Sequence, residues 1–248
     1  MSRYSKIGKV IAVMSGKGGV GKSSVTALLA CELARRGKKV GVLDADLTGP
    51  SIPTMFGVLG KRPETINPGI LPVRTEKLGI EVISVNLMLE KPEQPVIWRG
   101  PLLSKAIQEF WEEVAWDDPD VLLLDLPPGT GDIPLTVLQA IPLDGVIIVS
   151  SPQDLAFLVV KKAVNMVYQL KKPILGLVEN MSYVVCPNCG TTIRPFGREK
   201  GKEIAASLFI PFLGGLPLDA ELSRHCDEGT IEEYENEGVS AIADKIAL

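Results

Sequence analysis

One octapeptide constrains this chain more than any other stretch, namely Gly16-Lys17-Gly18-Gly19-Val20-Gly21-Lys22-Ser23. It follows the apolar run Val10-Ile11-Ala12-Val13-Met14 and opens into the helical pattern Val25-Thr26-Ala27-Leu28-Leu29-Ala30. The order is strand, glycine turn, helix, and the octapeptide fits G-x-x-x-x-G-K-[ST] at every fixed position. Glycines let the backbone bend until successive N–H groups face one anion, and the helix N-terminus adds the positive end of its dipole. Lys22 is then placed to reach the β- and γ-phosphates of a nucleotide, and the Ser23 hydroxyl to ligate Mg²⁺.

Around this loop the chain alternates apolar runs with helical patterns, which predicts an α/β fold with a mostly parallel twisted sheet and helices on both faces. The spacing predicts a helix from about Lys22 to Arg36, stopping at Gly37, and a strand over Lys39–Leu43. The Pro- and Gly-rich stretch from Leu47 to about Glu81 reads as mostly loop with short helical pieces. Further strands are expected at Val82–Val85, Val121–Asp125, Val146–Ser150, Ile174–Val178 and near Ile210–Gly214. Helices are expected over Pro101–Ala115, Asp154–Leu170 and Glu199–Ser207, with one or two more after them, and a loop excursion at about 181–195. No linker or repeat interrupts the pattern, so residues 1–248 read as one domain.

A formal net charge of -4 argues against a general attraction to nucleic acid or to anionic membranes. No apolar stretch approaches the roughly 18 residues that span a bilayer, and no signal-peptide pattern precedes the first strand. Four cysteines, two of them close together, point to a reducing compartment and metal chemistry more than to a disulfide framework. The expectation is a soluble cytoplasmic protein with no nucleic-acid or membrane partner.

Acidic residues stand at the carboxyl ends of two predicted strands, where open α/β sheets place their ligands. Asp125 ends the most apolar strand and precedes Leu126-Pro127-Pro128-Gly129-Thr130-Gly131-Asp132. A carboxylate there can hold Mg²⁺ directly or through water, and the glycines after it suit a loop that senses the γ-phosphate. Asp44 and Asp46, two apart at the other strand end, face the same site; Asp46 is assigned to orienting water and Asp44 to a supporting role beside Mg²⁺.

Cys186 and Cys189 lie in Cys186-Pro187-Asn188-Cys189-Gly190, a knuckle whose two thiolates can share one metal. One chain offers two ligands where a structural zinc or a four-iron cluster wants four, and a two-fold axis between two copies completes the set. On the residues alone, iron–sulfur and zinc stay equally open. Cys31, inside the first helix, and Cys226, after the lone His225, read as non-ligands.

Lys17, directly after the first glycine, marks the deviant subclass of this phosphate loop. With it the chain resembles the Mrp (ApbC-type) P-loop ATPases, iron–sulfur cluster carriers related to the nitrogenase iron protein and to MinD/ParA ATPases. The matching stretches are Ser15 through Ser24, Asp44-Ala45-Asp46 with Thr48–Pro53, Asp125 through Asp132, Val178–Ser182 and the cysteine knuckle. The resemblance implies ATP with Mg²⁺, a homodimer in which Lys17 reaches the partner's nucleotide, Asn180 against the adenine, and the backbone at Leu218 and Asp219 lining the base pocket. It also implies a 4Fe–4S cluster bridged by Cys186 and Cys189, with zinc as the second choice, and apo iron–sulfur proteins as recipients. The alternatives are a MinD/ParA-type positioning ATPase with a structural zinc knuckle, and an electron-transfer protein like the nitrogenase iron protein. The acidic stretch Asp227–Glu237 suits the first of these poorly, and the close cysteine pair the second.

Overall fold

The structure is a computed structural model that describes residues 3–46, 51–67, 69–88, 100–153 and 156–246, apart from the side chains of residues 100–104 and 156. The chain runs β1 (Lys9–Ser15), α1 (Lys22–Arg35), β2 (Val40–Asp44), α2 (Ser51–Met55), β3 (Glu64–Ile66), β4 (Gly69–Leu71), β5 (Val73–Arg74) and β6 (Glu81–Ser84). It continues through α3 (Gly100–Glu113), β7 (Val121–Asp125), α4 (Asp132–Ala140), β8 (Gly145–Ser150), α5 (Ala156–Gln169) and β9 (Ile174–Val185). Last come β10 (Thr192–Ile193), α6 (Gly201–Ser207), β11 (Phe212–Pro217), α7 (Ala220–Glu228) and α8 (Glu237–Ile246).

The main sheet is ordered β5-β6-β2-β7-β1-β8-β9-β11, with β10 paired to the far end of β9. Neighbours are parallel except β5 on β6 and β10 on β9. The central strands carry almost no polar residue because both faces are covered. In β1, Ile11 and Val13 pack with α1 and α8 on one face, while Val10, Ala12 and Met14 pack with Ile107, Val137 and Val164 of α3, α4 and α5 on the other. α8 spends its apolar face inside this packing, through Val239, Ile242 and Ile246. An apolar stripe used in this way is not free to lie on a membrane.

The α/β fold expected from the sequence is the one observed, with four differences. β9 does not end at Val178 but runs on to Val185, so the expected loop at 181–195 is half strand and half hairpin. Pairing explains this, since β11 stays beside β9 as far as Tyr183, through a register shift, and β10 pairs with its end. The last strand lies at Phe212–Pro217, later than expected. The stretch read as loop with short helical pieces before Glu81 holds the small hairpin β3–β4 and strand β5 as well as α2, each of two to five residues, too short for a hydrophobic period to show. α4 had no counterpart in the sequence reading. Its Pro134 sits in the first turn, where a missing N–H costs nothing, and so does not break the helix. Thr48, Gly49, Pro50 and Asp154 lie outside the described residues.

Candidate functional site

The glycine loop owes its shape to backbone that only glycine adopts cheaply. Gly19 and Gly21 have φ of 77° and 75°. A Cβ on Gly21 would lie 2.2 Å from Asn180 Nδ2, and one on Gly16 would lie 2.6 Å from the Val159 carbonyl oxygen. Gly21 is also the N-cap of α1, so the helix's unpaired N–H groups open into the loop. The loop walls a cleft of about 220 Å³ lined by Ser15, Gly18 through Ser24, Asp46, Ser51, Met55 and Pro128.

Behind the loop three carboxylates surround one ammonium. β2 and β7 set Asp44 and Asp125 side by side as register partners at their carboxyl ends. Lys22 donates to Asp125 Oδ2 at 2.8 Å and lies 3.6 Å from Asp46. The Ser23 hydroxyl donates to the same Asp125 oxygen at 2.6 Å, and Thr26 Oγ1 lies 2.7 Å from Asp125 Oδ1. Asp44 is buried and accepts from the Ser84 hydroxyl at 2.9 Å and from the Asp46 amide at 3.0 Å. Burial, and then the Asp125 charge, push the Asp44 carboxyl well above the usual aspartate range, against the opposing pull of Ser84 and Lys22. One cation among three carboxylates leaves the pocket floor short of positive charge. Together with the hard oxygen donors of Ser23 and Asp125, that is the chemistry that takes Mg²⁺.

The structure thus brings Lys22, Ser23, Asp44, Asp46 and Asp125 together, and sets Asn180 on the flank of the loop. Asn180 is buried and its amide donates to the Val20 carbonyl at 3.0 Å. Lys17 is half-buried, with its ammonium on the Gln153 side chain of the same chain. Asp219 caps α7 and accepts from the Tyr234 hydroxyl at 2.8 Å, while the Leu218 amide donates to the Tyr183 carbonyl at 2.7 Å. Both residues line a second cleft of about 720 Å³ with Val184, Ser223 and Arg224. Thr26, Ser84 and Gln153 escaped the sequence reading. Thr26 alone carried a signal there, as a polar residue one turn after Lys22 on a buried helix face.

The cysteine pair stands apart from the loop, at the turn of the β9–β10 hairpin. The Cys186 amide donates to the Thr191 carbonyl and the Gly190 amide to the Cys186 carbonyl, both at 2.9 Å, which curls the backbone so that both thiols share one turn. Thr191 Oγ1 lies 3.2 Å from Cys189 Sγ. The Thr191 hydroxyl and amide, and then the Cys186 thiol, hold the exposed Cys189 thiol below its ordinary value. Cys31 is different, since burial pushes its thiol up to about 12. Cys226 is half-buried beside Ser24 and is also pushed up by burial. Burial thus disfavours the thiolate form at both.

A glycine phosphate loop and a two-thiol hairpin on one parallel sheet invite comparison with known proteins. The profile of the ParA family, described as NUBPL iron-transfer P-loop NTPase, matches residues 6–247. The chain belongs to this family. An iron-sulfur cluster carrier protein of Clostridium perfringens is 45% identical over 240 residues, covering 94% of this chain and 84% of that one. A nucleotide-binding protein of Archaeoglobus fulgidus, solved in complex with ADP, superposes with a TM-score of 0.85 at 49% identity, over 94% of this chain and 90% of its own. The MinD cell division protein of Aquifex aeolicus shares the fold at a TM-score of 0.67 and 20% identity, over 96% and 95% of the two chains. Among the described residues of this NUBPL-type NTPase, no helix is long and apolar enough to cross a membrane.

Proposed function

We propose that this protein is an ATP-hydrolysing carrier that holds a 4Fe–4S cluster between two copies of the chain and delivers it to apo-proteins. The observation that carries the reading is structural continuity. Cys186 and Cys189 sit at the tip of a hairpin that prolongs β9, the strand whose Asn180 is bonded to the phosphate loop. The family profile and the names of the relatives support iron–sulfur cargo over zinc. The hairpin turn supplies two thiols per chain, and a four-ligand cluster is completed by the same pair from a second copy.

In this reading the backbone N–H groups from Gly16 to Ser24 and the Lys22 ammonium hold the phosphates, and Asn180 with the Leu218–Asp219 backbone receives the base. Mg²⁺, when bound by Ser23 and Asp125, would offset charge on the phosphate oxygens. Asp44 supports Asp125 from the next strand. Asp46 orients a water whose oxygen bonds to the γ-phosphorus as the bond to the β–γ bridging oxygen breaks, yielding ADP and phosphate. Lys17 leaves Gln153 to reach the partner's γ-phosphate and balance the developing charge.

Anaerobic reconstitution with iron and sulfide tests the proposal, with metal, sulfide and mass measured together. About four irons and four sulfides per two chains are expected, and none in a Cys186→Ala/Cys189→Ala control. Bound zinc without sulfide would sink the cluster reading and leave an NTPase with a structural clip.

A further inference from the structure

β9 carries an irregularity in its pairing with β11. Glu179 pairs with Gly215 and Tyr183 with Pro217, so three residues of β9 oppose one of β11. Within that bulge Met181 is left-handed at φ 60°, a conformation that costs a non-glycine residue about 1–2 kcal/mol. The adjacent side chains Glu179 and Asn180 point to opposite sides of the strand. Asn180 goes to the phosphate loop, where its amide holds the Val20 carbonyl and fills the space beside Gly21. Glu179 goes to the base of the cysteine segment. Its carboxylate is buried, accepting the Lys200 amide at 3.1 Å and the Ser182 hydroxyl at 2.9 Å, and its Cβ would lie 2.9 Å from a Cβ on Gly201.

Lys200 and Gly201 are where the chain returns from the hairpin into α6. The cysteine segment is therefore held at one end by β9 and at the other by Glu179. A buried carboxylate is expensive unless donors meet it, so these contacts are tight ones. A phosphate entering the loop would compete with Asp125 for Lys22 and would face the peptide between Val20 and Gly21, whose carbonyl Asn180 holds. Asn180 and Glu179 are adjacent in the chain, so a displacement at Asn180 would bear directly on Glu179.

We propose that Glu179 is a positioning residue that transmits the state of the phosphate loop to Cys186 and Cys189, through the bulge at residues 180–182 and the Lys200 amide. This rests on the nucleotide-dependent carrier reading above, and its test does not use the cluster. The full apo chain is treated with iodoacetamide, with and without saturating Mg·ATP, and modification at Cys186 and Cys189 is followed by peptide mass. Nucleotide should change their rate at least about fivefold in the wild type, the lower end of usual coupling. In Glu179→Gln, with nucleotide still bound, the change should vanish. A Glu179→Gln protein that keeps the wild-type ratio, or a wild type with no change, overturns the proposal. Should that variant not fold, hydrogen exchange on the wild type decides, because nucleotide must alter protection at Lys200 together with residues 180–182. Unchanged protection at Lys200 also overturns it. A chain that shows the coupling yet takes up no iron and sulfide refutes the carrier reading alone.

Discussion

Replacing Gly21 with alanine challenges the phosphate loop and its Asn180 support in one step. Gly21 has φ 75°, where a Cβ costs about 1–2 kcal/mol. The new methyl would also start 2.2 Å from Asn180 Nδ2, so the amide must withdraw from its 3.0 Å hydrogen bond to the Val20 carbonyl. Losing that bond adds about 0.5–1.5 kcal/mol. Gly21→Ala should therefore lower stability by about 1.5–3.5 kcal/mol in the absence of nucleotide. Asn180→Ala alone loses the same bond and costs about 1 kcal/mol.

The two losses share one cause and so cannot add. In the double variant the methyl's clash with the amide is gone, leaving the Met181 Cε at an ordinary 3.4 Å, and only the backbone strain and the lost bond remain, which makes its cost fall short of the sum by about 1 kcal/mol. Urea unfolding of the four proteins measures this cycle directly, with nucleotide affinity as a second readout. Strict additivity, or a Gly21→Ala protein as stable as the wild type, would refute the packing of Asn180 on the loop.

Asp44→Asn tests the surplus of negative charge. Because the Asp44 carboxyl is raised in the folded protein, its contribution to stability is full below the ordinary value of 3.8 and is lost as pH rises through the folded value. Wild-type stability minus that of Asp44→Asn should thus decline with pH above 3.8 and then level off, and parallel curves would contradict this. Thr191→Val removes the hydroxyl that favours the Cys189 thiolate, so the pH midpoint for alkylation of Cys189 should move upward, and a fixed midpoint would remove Thr191 from the account. Lys17→Ala should slow ATP hydrolysis by a factor on the order of 10³ while ATP binding changes little, and an unaffected rate would exclude the proposed role in trans. Phe209→Gly should stabilise the protein by about 1 kcal/mol, because Phe209 occupies the left-handed position after α6 at φ 55° with its ring 92% exposed; thermal unfolding that shows a loss would mean the ring packs.

How much of this was legible before the structure depends on the range over which each contact acts. The loop from Gly16 to Ser23 is a local object, whose glycines, strand and helix follow one another, so its chemistry could be read from its order. Asp125 was legible because an apolar strand ending in a carboxylate places that carboxylate at the sheet's carboxyl edge. Ser84 was not, because its meaning lies in a register match with Asp44 across β2 and β6, which no spacing announces. Gln153 is hidden for the same reason, as it meets Lys17 from another part of the chain. The cysteine segment shows the difference most sharply. Its C-P-x-C-G turn is local and was read as such, whereas the strand beneath it depends on β11, some thirty residues further along. Read locally, residues 181–185 look like the start of a loop; held by a partner strand, they become the stiff arm between thiols and phosphate loop. In the proposed coupling, that arm would carry an event at the nucleotide to the cysteines, so the part of the protein hardest to see in the sequence is the part on which the proposal turns.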